Sequence, residues 1–366
     1  MISSRPDLAA VLALGLAALV TTSMVPIVRA AGLRWGLIDP PDSRKQHTTP
    51  MVRLGGVALV LGFSVALLLI WLLGGFAGLP AQQDMQIWAC IAGALCFFVI
   101  GLADDLFALP PLPRLAAQLL VAMAVWSQGV QISAIDLPVH PFTGPSGLVV
   151  LPDALSLLAT VIWLVGITNA INWLDGLDGL AAGVSGIAAV GLLSVSYSLN
   201  QPAPGLLAAA VAGSCLGFLR HNFNPARIFM GDGGSYFLGF SLAVISIVGP
   251  AKGLTGVSLL LPLLILSLPL ADMSAVIMGR LSQGRSPFYP DRRHLHHRLL
   301  RAGLSHRRTV VLIYAFTQWL AALALVLANA ELRFLWLGLA TAVLIVVVTA
   351  ARQSLNREQQ QAADDR

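Results

Sequence analysis

The stretch Leu8–Val28, LAAVLALGLAALVTTSMVPIV, carries no charged side chain. A helix of that length is about 30 Å long at 1.5 Å per residue, which matches the hydrocarbon thickness of a bilayer. It is too long for the apolar region of a signal peptide and is followed by Arg29 and Arg34, so it reads as a retained span. Ten similar runs follow: Gly55–Leu79, Gln86–Gly101, Leu115–Val130, Ala154–Ile171, Gly179–Leu199, Pro204–Leu219, Gly234–Val248, Leu254–Ala271, Thr309–Ala328 and Leu332–Ala350. Gln86–Gly101 and Pro204–Leu219 are short for a span. The predicted fold is an all-α polytopic membrane protein with about eleven transmembrane helices.

Composition excludes a soluble chain. Of the 366 residues 57% are hydrophobic and 11% charged, with a mean hydropathy of +0.81, whereas soluble domains carry about 25% charged residues. Cys90, Cys96 and Cys215 lie in apolar runs without a metal-binding spacing and read as small buried hydrophobes. No internal repeat is visible. The Gln-rich tail, residues 352–366, reads as a solvated or frayed end beyond a single membrane domain of residues 1–351, and Gln131–Asp153 as an irregular or hairpin-like surface loop.

The net charge of +5 and pI near 9.6 do not indicate nucleic acid, because the charges have a topological placement. With an external N-terminus, 19 of the 22 basic residues fall in internal loops or the tail, leaving Arg5, Lys252 and Arg333 outside. The positive-inside rule therefore predicts a periplasmic N-terminus and a cytoplasmic C-terminus. Asp104, Asp105, Asp175, Asp178, Asp232 and Asp272 all fall at internal ends of spans, which argues for a cytoplasmic site.

Asp104-Asp105 closes the third run. Adjacent carboxylates repel unless a cation or proton lies between them, and acids at a helix C-terminus oppose the macrodipole. In Asn169-Ala-Ile-Asn172-Trp-Leu-Asp175-Gly-Leu-Asp178-Gly, two amides and two acids recur every third residue, so adjacent pairs share a helix face. The face drifts about 60° per step, and Gly176 and Gly179 are placed to break the helix and correct it. Such oxygen donors suit a hard cation or a polyhydroxylated ligand. Met230-Gly-Asp232-Gly-Gly-Ser235 opens the eighth run and resembles an N-cap whose glycines admit a phosphate. A single carboxylate also suits Mg²⁺, which takes one or two protein ligands plus substrate phosphates. The last internal loop, Asp272–Arg308, carries Arg280 and His294-Leu-His296-His297. No Cys or Glu stands at a zinc spacing nearby, and arginines with histidines fit a diphosphate-bearing ligand. A loop resting on anionic headgroups explains the arginines but not the histidines.

Taken together, these segments resemble the polyprenyl-phosphate N-acetylhexosamine-1-phosphate transferase family, in the glycosyltransferase 4 superfamily. The resemblance runs from about residue 30 to 310. It rests on Pro41-Asp-Ser-Arg-Lys45-Gln-His47…Pro50…Gly55-Gly56, Asp104-Asp105, Asn169–Gly179, Phe223–Ser235 and the histidine loop. Within the family the chain is most similar to the WecA type, which transfers GlcNAc-1-phosphate from UDP-GlcNAc to undecaprenyl phosphate. Leu295 stands where that branch usually has Ile, and Arg114 where relatives often carry Lys or Arg.

The resemblance implies a phosphotransferase that starts a cell-surface glycan of O-antigen, enterobacterial-common-antigen or teichoic-acid type in the bacterial inner membrane. It implies Asp232 and Asn172 as ligands of Mg²⁺, with Mn²⁺ as a substitute. Asp104, Asp105, Asp175 and Asp178 are the implied catalytic acids, and Arg114 clamps charge, since a guanidinium does not usefully give up a proton. Lys45, His47, Asn169, Arg280, His294, His296 and His297 are the implied substrate contacts. The expected partners are a UDP-N-acetylhexosamine, undecaprenyl phosphate, the lipid bilayer and, as among relatives, a second copy in a homodimer. FucNAc or QuiNAc donors are the near alternatives. A transporter of a lipid-linked solute is the competing class, but such proteins place ionisable groups near the midplane, often in repeated halves.

Overall fold

Leu8–Val28 lies within α1 (Pro6–Arg34). In the computed structural model, residues 5–39, 51–76, 81–140, 144–249, 259–286 and 293–364 are described. Among them, nine helices are long and apolar enough to cross a membrane. Besides α1 these are α2 (Gly55–Leu72), α3 (Ala81–Phe107), α5 (Asp153–Leu174), α6 (Leu180–Ser198), α7 (Pro202–Asn222), α8 (Gly231–Val248), α12 (His306–Leu327) and α13 (Arg333–Asp364). The chain is a polytopic membrane protein. Both short runs belong to this set, because Ala, Gln, Asn and His flanks extend the helices beyond the apolar residues.

Two of the eleven runs lie outside this set. Leu115–Val130 falls on α4 (Pro111–Ser127), a helix of 17 residues. Leu254–Ala271 begins outside the described residues and then divides at Leu266 between α9 (Leu260–Ile265) and α10 (Ser267–Leu281). Pro269 stands in the first turn of α10; it has no N–H to donate to the Ile265 carbonyl, which favours a new helix start here. Helix α13 continues into the tail, through Arg352 to Asp364, since no Gly or Pro interrupts residues 339–364. Cys90 and Cys215 are buried as expected, whereas Cys96 is exposed on the bundle.

Two antiparallel hairpins interrupt the helices. β1 (Ile38–Asp39) pairs with β2 (Met51–Val52), and β3 (Ala134–His140) pairs with β4 (Gly144–Val150), with Ala134 opposite Val150. The second is the hairpin expected between Gln131 and Asp153. The segment after β2 is laced to the entrance of α8. Phe229 N donates to Val52 O at 2.9 Å, Gly55 N to Phe229 O at 2.9 Å and Gly56 N to Met230 O at 2.8 Å.

Helix α8 is the axis of the bundle. Every residue from Gly233 to Val248 is buried, against α2, α3, α5, α6 and α7. A Cβ on Gly234 would stand 2.9 Å from the Gly56 Cα, so α2 and α8 approach as closely as small residues allow in membrane helices. Phe237 meets Phe63 edge-on at 5.2 Å, and Phe240 stacks on Phe97 at 4.4 Å. This packing holds the polar start of α8 against the polar ends of α3 and α5.

Candidate active site

The two members of Asp104-Asp105 have different partners. Asp104, at the end of α3, pairs with Arg114 from α4 and accepts the Leu109 N–H at 2.9 Å. Asp105 accepts the N–H groups of Asp232 and Gly233, each at 2.9 Å. It therefore caps α8 from another helix, using two of the donors that a helix start leaves free. Helix α8 begins at Gly231, with no side-chain cap of its own. This corrects the reading of Asp232 and Ser235 as an N-cap: Asp105 does that work and the Asp232 carboxylate is left for other partners.

Those partners come from α4 and α5. Asp232 Oδ1 accepts from Asn172 Nδ2 at 2.8 Å, and Oδ2 lies 3.8 Å from an Arg114 nitrogen. The Asn172 amide also donates to Ser235 Oγ at 2.9 Å. One turn earlier, Asn169 Nδ2 donates to Gln118 Oε1 at 2.8 Å. Arg114 bridges the Asp104 and Asp232 carboxylates.

The three-residue repeat does not continue as one face. Helix α5 ends at Leu174, and Asp175 follows as its C-cap. Gly179 has φ +79°, a left-handed conformation that glycine adopts without steric cost. The break turns Asp178 away: its Oδ2 accepts Asn224 Nδ2 at 2.9 Å and Ala226 N at 3.0 Å. Asp178 thus organises the loop between α7 and α8 and shares no ligand face with Asp175. Burial pushes the Asp175 carboxyl up to about 7; the Asp105 charge adds to the rise, Arg53 opposes it, and Asp178 adds less.

A second group faces the first across the end of α5. Arg280, buried near the end of α10, lies over the Trp173 ring at 4.9 Å. His294 meets the Trp173 edge at 5.9 Å and stacks on His296 at 5.7 Å. Asp272 accepts from His294 Nδ1 at 2.9 Å and from Leu295 N at 2.6 Å. His296, 1% exposed, has no hydrogen-bond partner at either ring nitrogen among the described residues. Burial lowers its pKa to about 4, with His297 and His294 adding to the fall. A Cβ on Gly176 would stand 2.8 Å from His296 Cε1, so glycine there lets the ring lie against the turn that carries Asp175. His297 is 4.3 Å from His296, centroid to centroid.

For a divalent cation, Asp232 offers a carboxylate and Asn172, which meets it through Nδ2, offers the Oδ1 of the same amide. The Asn172 Oδ1 has no donor among the described residues, and among them no three acids, histidines or cysteines could hold an ion alone. One carboxylate and one amide oxygen fit Mg²⁺ completed by substrate phosphates.

The chain is 34% identical over 327 residues to the "Probable undecaprenyl-phosphate N-acetylglucosaminyl 1-phosphate transferase" of Bacillus subtilis (strain 168), covering 88% of this chain and 86% of that one. The model of glycosyl transferase family 4 matches residues 87–250. The chain belongs to glycosyl transferase family 4. The decaprenyl-phosphate N-acetylglucosaminephosphotransferase of Mycobacterium tuberculosis (strain ATCC 25618 / H37Rv) is 38% identical over 324 residues, 81% of this chain and 77% of its own. The undecaprenyl-phosphate alpha-N-acetylglucosaminyl 1-phosphate transferase of Yersinia pestis is 28% identical over 294 residues, 78% of this chain and 76% of its own. The matched family segment contains Asp104, Asp105, Arg114, Asn169, Asn172, Asp175, Asp178 and Asp232; the histidine loop lies beyond it.

Within this family member the structure brings Asp104, Asp105, Arg114, Asn172 and Asp232 together, sets Asn169 one turn earlier against Gln118, and gathers Arg280, His294, His296 and His297 around Trp173. Lys45 and His47 lie outside the described residues. Sequence reasoning missed Gln118, Trp173 and the role of Asp272. Asp272 was visible as an acid just beyond the ninth apolar run, but nothing in its spacing pointed to a histidine 22 residues away.

Proposed function

We propose that the chain transfers GlcNAc-1-phosphate from UDP-GlcNAc to undecaprenyl phosphate, giving undecaprenyl-diphosphate-GlcNAc and UMP, and so initiates a cell-surface glycan. The observation that carries this reading is the meeting at Asn172-Trp173 of an acidic cluster, Asp104, Arg114 and Asp232, with a basic and histidine-rich one, Arg280 and His294–His297. One suits a phosphate–cation complex and the other an anionic sugar nucleotide. The relatives' names supply the donor and the polyprenyl acceptor.

A lipid-phosphate oxygen bonds to the sugar-linked phosphorus as the bond to the UMP oxygen breaks, and UMP leaves with that electron pair. In-line positioning and charge neutralisation dominate such transfers. A phosphate monoester has its second pKa near 6, so the nucleophile needs no strong base at neutral pH. Asp232 and Asn172 would hold Mg²⁺, or Mn²⁺ in its place, which neutralises the diphosphate when bound. Arg114, fixed by Asp104, presents its guanidinium to the same phosphates. Arg280 and the histidines bind the donor, and Asp105 keeps Asp232 in place by capping α8.

The proposed topology has eleven spans in the bacterial inner membrane, with a periplasmic N-terminus, a cytoplasmic site and a cytoplasmic tail after a membrane domain of residues 1–351. Purified protein in detergent should release UMP from UDP-GlcNAc only when undecaprenyl phosphate and Mg²⁺ are both present. Competition by a panel of UDP-N-acetylhexosamines tests the sugar. Release without a polyprenyl acceptor, or none with it, would overturn the reaction.

A further inference from the structure

The Asp272 carboxylate is divided between two tasks. One oxygen accepts the Leu295 N–H at 2.6 Å and so caps α11 (Leu295–Arg301), whose own N-cap residue, His294, supplies no side-chain cap. The other lies 2.9 Å from His294 Nδ1. Both partners are buried, the Asp272 side chain at 7% exposure and the His294 side chain at 10%. The Trp173 edge and the His296 ring pack against the same imidazole. A carboxylate only accepts, so Nδ1 carries the hydrogen and Nε2 is the ring nitrogen left for a ligand.

We propose that Asp272 is a positioning residue for donor binding: it fixes the tautomer and ring orientation of His294, so that Nε2 meets the UDP-sugar. The proposal rests on the transferase reading above. Asp272 does not itself touch substrate; it acts through His294. The acid is on α10 and the histidine on the loop leading into α11, so the contact also ties the loop's far end to the helix that carries Arg280.

Asp272→Asn separates the two tasks. An Asn Oδ1 can still accept the Leu295 N–H, preserving the cap, while its Nδ2 donates to Nδ1 and moves the imidazole hydrogen to Nε2. The expected result in purified full-length protein is a KM for UDP-GlcNAc raised about 10- to 100-fold, by analogy with the loss of the orienting partner of a metal-bound histidine. The KM for undecaprenyl phosphate and the melting temperature stay at their wild-type values. His294→Ala should raise the donor KM as well, and the double variant Asp272→Asn/His294→Ala should be no worse than His294→Ala alone, as two residues acting through one contact require. Additive effects, an unchanged donor KM in Asp272→Asn, or a loss confined to melting temperature would overturn the proposal. UDP-GlcNAc binding, read as a melting-temperature shift without acceptor, distinguishes the two failures. If wild type and Asp272→Asn bind equally, only this inference fails; if wild type neither binds nor turns over, the transferase reading fails and this inference with it.

Discussion

Asp105 holds the first turn of the helix that carries Asp232: its Oδ1 accepts the Asp232 N–H and its Oδ2 the Gly233 N–H, each at 2.9 Å. Its neighbour Asp104 is paired with Arg114 instead. Two adjacent acids of identical chemistry thus do different things. One is an N-terminal cap reached across helices, favoured by the positive end of the α8 dipole. The other anchors a guanidinium that also faces Asp232.

Asp105→Ala should therefore behave as a lost helix cap, at a cost of about 0.5–2 kcal/mol of stability. Asp104→Ala should act mainly on turnover, by releasing Arg114. Thermal unfolding of the two variants in detergent, beside UMP release, checks the division. An Asp105→Ala melting temperature equal to that of wild type would mean that the cap on α8 is dispensable.

Asp232→Asn tests the proposed metal ligand without disturbing the helix. The Asp232 side chain does not cap α8, and an Asn Oδ1 can still accept from Asn172 Nδ2. The variant should accumulate and melt like wild type while losing nearly all UMP release, since a hard cation prefers an anionic oxygen. Retention of most activity across a Mg²⁺ titration would remove Asp232 as the metal ligand.

The apolar runs made the membrane fold legible because hydropathy is a local property: nine of the eleven runs lie on helices of spanning character. The polar residues of the site were legible as types, and Asn172 and Asp232 do meet at 2.8 Å. Their pairing was not. Asp178 follows the same three-residue spacing as Asp175, yet it serves the Asn224–Ala226 loop, because a left-handed glycine one residue later turns the chain. Asp105, Gln118 and Asp272 all find partners on other helices, at separations that leave no periodic trace. The division of the ninth run at Leu266 was present as Pro269, but an apolar window weighs proline too lightly.

Asp175 predicts a pH dependence of stability. Its carboxyl is raised from 3.8 to about 7 by burial, so between pH 4 and 7 the folded state holds a proton that the unfolded chain has released. Stability from this group is fully present below pH 4 and falls as pH rises through 7. Asp175→Asn, which stays neutral, should flatten that part of the profile in EDTA, so its stability relative to wild type should rise between pH 4 and 7. Parallel melting curves for the two proteins would show that Asp175 ionises normally.

His296 predicts the opposite slope and separates a binding histidine from a packing one. Its pKa is lowered from 6.5 to about 4 by burial, so between pH 4 and 6.5 the unfolded chain binds a proton that the folded state does not. Stability from this group is present above pH 6.5 and is lost as pH falls toward 4. His296→Phe keeps a planar ring of similar shape, removes two buried nitrogens that have no hydrogen-bond partner among the described residues and cannot titrate. Burying unsatisfied polar atoms costs about 1–3 kcal/mol, so the variant should melt at or above the wild-type temperature at pH 7.5, and clearly above it at pH 5. If the ring nitrogens are there for the donor, UMP release should nevertheless fall steeply, with the donor KM rising and the acceptor KM unmoved. Gly176→Ala approaches the same ring from the other side: its new Cβ would stand 2.8 Å from His296 Cε1 and must displace the imidazole, so it should reproduce the donor defect with both nitrogens still present. A His296→Phe enzyme with wild-type donor kinetics would make this histidine a packing residue and leave donor binding to Arg280, His294 and His297.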